Sequence, residues 1–220
     1  MKAFSLVLFC FIYAASVYGQ TSTWTLYSFA KGGVYNVSPT DMGFVFPEWS
    51  RKAAFPAFLS TTTYSSVLGN LSNKTISATV TITASPSALF VFGGELSGWN
   101  TTDPRPATGR LWFSTNATAY NVAEGMTNEH KFWWSETSYF VCTNNLGTVT
   151  ITDTLDPLHW TSAWGHYGSD PSLIEKFNAA VANVRQIGIA FGGGCCYDVG
   201  VGLSPRGGPA SFRLESFVVQ

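Results

Sequence analysis

The chain has 220 residues, with 12 Lys+Arg against 13 Asp+Glu, a formal charge of −1, and only 11% of residues charged. So even a balance leaves no basic stripe to neutralise phosphates, which argues against nucleic acid as a partner. The length suits a single domain with a sizeable core, because all-β domains reach this size as one unit.

Residues 1–19 read as an export signal. Lys2 gives a basic start, Phe4 to Val17 form an apolar stretch, and Val17-Tyr18-Gly19 places small side chains at the −3 and −1 positions of a cleavage site before Gln20. The stretch is too short for the ~20 apolar residues of a membrane span, and no later run is long enough. Residues 20–220 are thus expected to form one secreted, extracellular domain, with no membrane span. Asn36, Asn70, Asn73, Asn100 and Asn116 each open an Asn-X-Ser/Thr triplet, the acceptor pattern for N-linked sugar on exposed loops. Pro39, just after the first triplet, makes Asn36 the poorest acceptor.

Strand periodicity dominates. Runs at Trp24–Phe29, Ile76–Thr83, Leu89–Phe92, Arg110–Ser114, Phe132–Trp134, Tyr139–Cys142, Thr148–Thr152, Ile187–Phe191 and Ser211–Val219 are separated by Gly, Pro, Asn and Asp clusters. Ile76, Ala78, Val80 and Ile82 alternate with Ser77, Thr79, Thr81 and Thr83, the mark of an antiparallel strand with one dry and one wet face. About ten such strands with no strand–helix alternation predict an all-β fold, a two-sheet antiparallel sandwich of jelly-roll type. One helix breaks the pattern near residues 171–184. Ser169 or Asp170 can cap it, Pro171 suits its first turn, and Leu173, Ile174, Phe177, Ala180, Val181 and Val184 share its apolar side. Such a helix is expected to plug one end of the sandwich.

Once Cys10 leaves with the signal, Cys142, Cys195 and Cys196 remain. In an oxidising compartment one pair is expected to form, either Cys142 with Cys195 or Cys196, or a vicinal Cys195–Cys196 link. The thiol left over is then buried or joins two chains in a disulfide-linked dimer.

The C-terminal part carries a family pattern. Leu155-Asp156-Pro157 with Trp160 leads into the helix, Ile187-Gly188-Ile189-Ala190-Phe191 follows, and Phe212-Arg213-Leu214-Glu215-Ser216-Phe217 closes the chain. Over roughly residues 147–219 this order resembles galactose-binding-like jelly rolls, which include many non-catalytic carbohydrate-binding modules. The resemblance implies a two-sheet sandwich, a glycan-binding role and often a structural calcium ion. Asp41, Asp198 and Glu215 are the calcium candidates by that analogy, with Arg213 an equal rival for Glu215. No other cofactor is implied.

A glycan site needs an aromatic ring for the C–H face of the sugar, with polar neighbours for its hydroxyls. Trp49 beside Glu48, Trp99 in Ser97-Gly98-Trp99-Asn100, the Trp164-Gly165-His166-Tyr167 loop, and Tyr197-Asp198 all qualify. Trp24, Trp112 and Trp160 read instead as core, and consecutive Trp133 and Trp134 must point to opposite faces of a strand. The Gly192-Gly193-Gly194 run lacks the Lys-Ser/Thr and the helix of a phosphate loop, so it reads as a turn. No carboxylate pair announces a glycosidase, and adjacent Glu129-His130 reads as a solvated pair. The function expected is non-catalytic recognition of a polysaccharide or other glycan. The rivals are a small glycan-active enzyme, a glycosidase or lyase, and a structural protein of a wall or matrix.

Overall fold

The computed structural model describes residues 24–30, 34–50, 53–92, 106–117, 127–193 and 199–220. Within them lie strands β1 (Trp24–Ala30), β2 (Val34–Thr40), β3 (Gly43–Val45), β4 (Phe55–Thr61), β5 (Thr75–Ala84), β6 (Phe90–Phe92) and β7 (Thr108–Ser114). β8 (Phe132–Val141), β9 (Gly147–Thr154) and β10 (Trp160–Ser162) precede the helix α1 (Ile174–Val181), and β11 (Gln186–Gly192), β12 (Val201–Leu203) and β13 (Ala210–Val219) follow it. The protein is mostly β, an antiparallel sandwich, and among the described residues it has one short α-helix and no helix long and apolar enough to cross a membrane.

The larger sheet has seven strands in the order β10-β8-β7-β11-β4-β1-β2, and the smaller has four in the order β3-β13-β5-β9. A separate β12-β6 pair lies beside them. The alternation in β5 works as its pattern demands: Ile76, Ala78, Val80 and Ile82 face the core, while Ser77, Thr79 and Thr81 lie outside. There they meet Thr152, Thr150 and Thr148 of β9 in hydroxyl pairs of 2.9 Å each. Cross-strand pairs of this type contribute about 0.2–1 kcal/mol apiece.

Between the sheets, Trp24, Phe46, Phe113, Trp133, Trp160 and Phe177 belong to the main core. A second apolar cluster, with Tyr27, Phe58, Trp112, Phe132 and Trp134, occupies the opposite face of the large sheet. Trp133 and Trp134 thus divide between the two faces. Trp24, Trp112 and Trp160 are all core residues, Trp112 in the cluster on the outer face. Burial on both faces explains why β4 shows no alternation and escapes a period-two reading. Pro56 obscures it further. It is tolerated because β11 pairs only with Phe58–Thr61 and because a register shift falls at its level in β1. Gly188 lets β11 lie close to β4, since a Cβ there would stand 2.1 Å from the carbonyl oxygen of Leu59.

β8 is continuous where two separate runs are read from the sequence. Arg110 pairs with Tyr139 and Trp112 with Trp134, so residues 135–138 bulge out of the ladder. The helix is shorter than its apolar pattern, starting at Ile174 after a turn closed by Asp170, with no side-chain cap. Leu173, Phe177, Ala180, Val181 and Val184 are buried as the spacing demands. Ile174 is exposed, because the chain before it is still a turn and does not present that side chain inward. Phe177 meets Trp133 edge-on at 4.9 Å between ring centres, which fixes the helix over one end of the sandwich.

Candidate functional site

Around β10, two carboxylates gather hydroxyl and imidazole groups. The first site lies in the loop after β10. Ser162 N donates to His166 O at 2.8 Å, Gly165 N to Ser162 O at 2.9 Å, and Thr161 bridges Tyr167, so the loop is a tight hairpin. Gly165 adopts φ +77°, which an L side chain rarely accepts, and this reversal sets Trp164 at the tip. Opposite stands a 3₁₀ turn, Glu129–Lys131, tied down where Trp133 Nε1 donates to His130 O at 2.9 Å. Ser162 Oγ donates to Glu129 Oε2 at 2.6 Å, and His166 Nδ1 approaches the same oxygen at 3.0 Å. Glu129 therefore pairs with distant His166 and not with its neighbour His130. Burial, followed by repulsion from Lys176 and Lys131, lowers the His130 pKa below 6.5, with Glu129 acting in the opposite direction. His130 is thus neutral at pH 7.

The hairpin exposes its aromatic side chains. Trp164 is 55% exposed and Tyr167 44%, and among the described residues Trp164 is the only tryptophan in the exposed class. Trp164 and Tyr167 thus place part of two aromatic rings at the surface.

The second carboxylate, Asp153, sits on β9 and is buried. Ser135 Oγ at 2.5 Å and Thr137 Oγ1 at 2.6 Å donate to its Oδ2, while His159 Nδ1 lies 2.7 Å from Oδ1. These bonds join the β8 bulge, the edge strand β9 and the approach to β10. Next to them, Arg110 donates to Ser135 O at 3.0 Å and to Glu136 Oε2 at 3.4 Å, and Thr161 Oγ1 donates to Glu136 Oε1 at 2.9 Å.

Compared with known proteins, the chain matches no family model, no curated protein and no solved structure.

The candidates drawn from sequence separate in space. Trp164 and His166 share the hairpin. Trp49 is half-buried with its backbone N–H bonded to Leu203 O at 2.7 Å, close to Gly202, which packs on Phe55 at the start of β4. Ser162 lies level with the other end of β4, through Trp133, Phe113, Ile187 and Thr61. Six residues of strand, roughly 20 Å, intervene, so Trp49 and Trp164 belong to opposite ends of the sandwich. Trp99, Tyr197 and Asp198 lie outside the described residues, as do Asn100, Cys195, Cys196 and the export segment 1–19. Cys142 is a fully buried free thiol, its pKa pushed up to about 12 by burial. It forms no bridge within the chain. Glu215 pairs with Arg213 at 3.4 Å, Asp41 is exposed, and among the described residues no three His, Cys, Asp or Glu side chains converge as metal ligands.

A cleft of about 440 Å³ lies elsewhere, between the Ser72–Lys74 turn, the end of β9 and α1. No aromatic side chain lines it, so it offers a sugar ring nothing to stack on. Nor do Glu129 and Glu136 form an acid/base pair. Their partners Ser162 and Thr161 are consecutive on β10 and point to opposite faces.

Proposed function

We propose that the protein is a secreted, glycosylated, non-catalytic glycan-binding domain of galactose-binding-like type, and that the hairpin from Ser162 to Tyr167 with Glu129 forms its recognition surface. The observation that carries this reading is the exposed Trp164 ring on a hydrogen-bonded hairpin, next to a carboxylate and an imidazole. A sugar presents a C–H face that packs on indole and a rim of hydroxyls that donate to acceptors. The hairpin supplies both from elements already rigid in the fold, so little ordering cost falls on binding. Asn36, Asn70 and Asn73 are exposed, which suits sugar attachment, while Asn116 is half-buried with its N–H bonded to Ser114 Oγ at 2.9 Å.

A glycan array probed with the purified protein tests the reading. Binding to one or a few related glycans, lost in Trp164→Ala at an unchanged melting temperature, is the expected result. Silence across the array, or release of reducing ends or unsaturated products from a bound polysaccharide, would refute it.

A further inference from the structure

We infer that Glu129 sets the specificity of the Trp164 surface, admitting neutral, hydroxyl-rich glycans and rejecting acidic ones; this rests on the glycan-binding reading above. The argument starts from valence. Both hydrogen bonds to Glu129 arrive at Oε2, from Ser162 Oγ and His166 Nδ1, and among the described residues Oε1 receives none. The side chain is about a quarter exposed at the base of the hairpin, and Oε1 is the oxygen with accepting capacity left. An ionised carboxylate only accepts, so the bond between them makes His166 Nδ1 the donor. Its ring is 57% exposed.

The polar part of the surface therefore offers a carboxylate oxygen with unused accepting capacity. A neutral sugar brings O–H donors, and donation to a carboxylate is charge-assisted, about twice as strong as a neutral hydrogen bond. A uronate or sialate brings acceptors and a like charge. Lys131 and Lys176 also stand near this end, where both act on His130. Their attraction for anions acts at range and is screened over about 8–10 Å in physiological salt, whereas contact with Glu129 is made at hydrogen-bond distance.

The test is affinity electrophoresis of the full chain through gels holding soluble neutral β-glucan, glycol chitin or polygalacturonate. Wild type should be retarded by at least one neutral polymer and not by polygalacturonate. Glu129→Gln should lose roughly tenfold of its neutral affinity, because a charge-assisted bond becomes a neutral one, and should narrow the gap to polygalacturonate. Ser162→Ala keeps the charge but frees the carboxylate, so it should weaken neutral binding without admitting the acidic polymer. Retardation of wild type by polygalacturonate alone, or unchanged selectivity in Glu129→Gln with its melting temperature intact, overturns the inference and leaves glycan binding standing. No retardation in any gel, together with silence on the array, removes both.

Discussion

Asp153 and Glu129 are the same chemical device in two settings. Each carboxylate takes a serine hydroxyl and a histidine Nδ1, at 2.5 and 2.7 Å for Asp153 and at 2.6 and 3.0 Å for Glu129. Asp153 also takes Thr137, and its side chain is 3% exposed, so both its oxygens are engaged and none is left for a ligand. Glu129 is about a quarter exposed, and among the described residues its Oε1 accepts no hydrogen bond. The difference shows that residue types alone do not separate a structural node from a proposed recognition site. Burial and unused hydrogen-bonding capacity do.

The comparison can be broken by substitution, and the largest effect should come from the buried member. Asp153→Ala leaves Ser135, Thr137 and His159 without their acceptor at the sandwich edge, and should cost roughly 3 kcal/mol. For a domain of this size, that lowers the melting temperature by about 6–12 °C, read by circular dichroism. A loss near zero would show that Asp153 is not a structural node.

Burial of another titratable group gives a pH test of the same interior. The folded Cys142 thiol holds its proton to about 12, against an ordinary 9.0. The folded state binds the proton more tightly, so this contribution is complete below about pH 9 and falls as pH rises towards 12, by about 1.4 kcal/mol per unit. Urea midpoints should thus decline with a steeper alkaline slope than in Cys142→Ala, and thiol reagents should label Cys142 only on unfolding.

Smaller effects lie at the surface. Thr150→Val removes one rung of the hydroxyl ladder, the Thr79 pair, and should cost about 0.5 kcal/mol in a urea titration. Glu129→Gln should shift stability by less than about 0.5 kcal/mol while changing glycan retention. A stability loss equal to that of Asp153→Ala would make the two carboxylates equivalent and end the distinction.

Much of the fold was legible in the sequence because its strands obey local rules. The Ser/Thr alternation of β5, the split of Trp133 and Trp134, and the buried side of α1 all follow from periods of 2 and 3.6 residues. β4 was not legible, since a strand buried on both faces carries no period and Pro56 argues against it. The site was half legible. An aromatic, glycine-punctuated loop marked Trp164 and His166, but Glu129 meets His166 across 37 positions of chain, a contact that no short window can register. Asp153 did leave a trace. Val149 and Ile151 set the inward phase of β9, and Asp153 falls in that phase, on the edge strand of the small sheet. An inward charge on an edge strand discourages edge-to-edge pairing, and here it also anchors the β8 bulge.

The proposed function rests on an indole that is 55% exposed at the tip of one hairpin. The most direct measurement is the fraction of protein retained by insoluble chitin and cellulose for wild type, Trp164→Ala and Trp49→Ala, each checked for an unchanged melting temperature. Retention by wild type and Trp49→Ala but not by Trp164→Ala is the outcome predicted. Full retention of Trp164→Ala, or its loss only in Trp49→Ala, would place recognition at the opposite end of the sandwich and contradict the account.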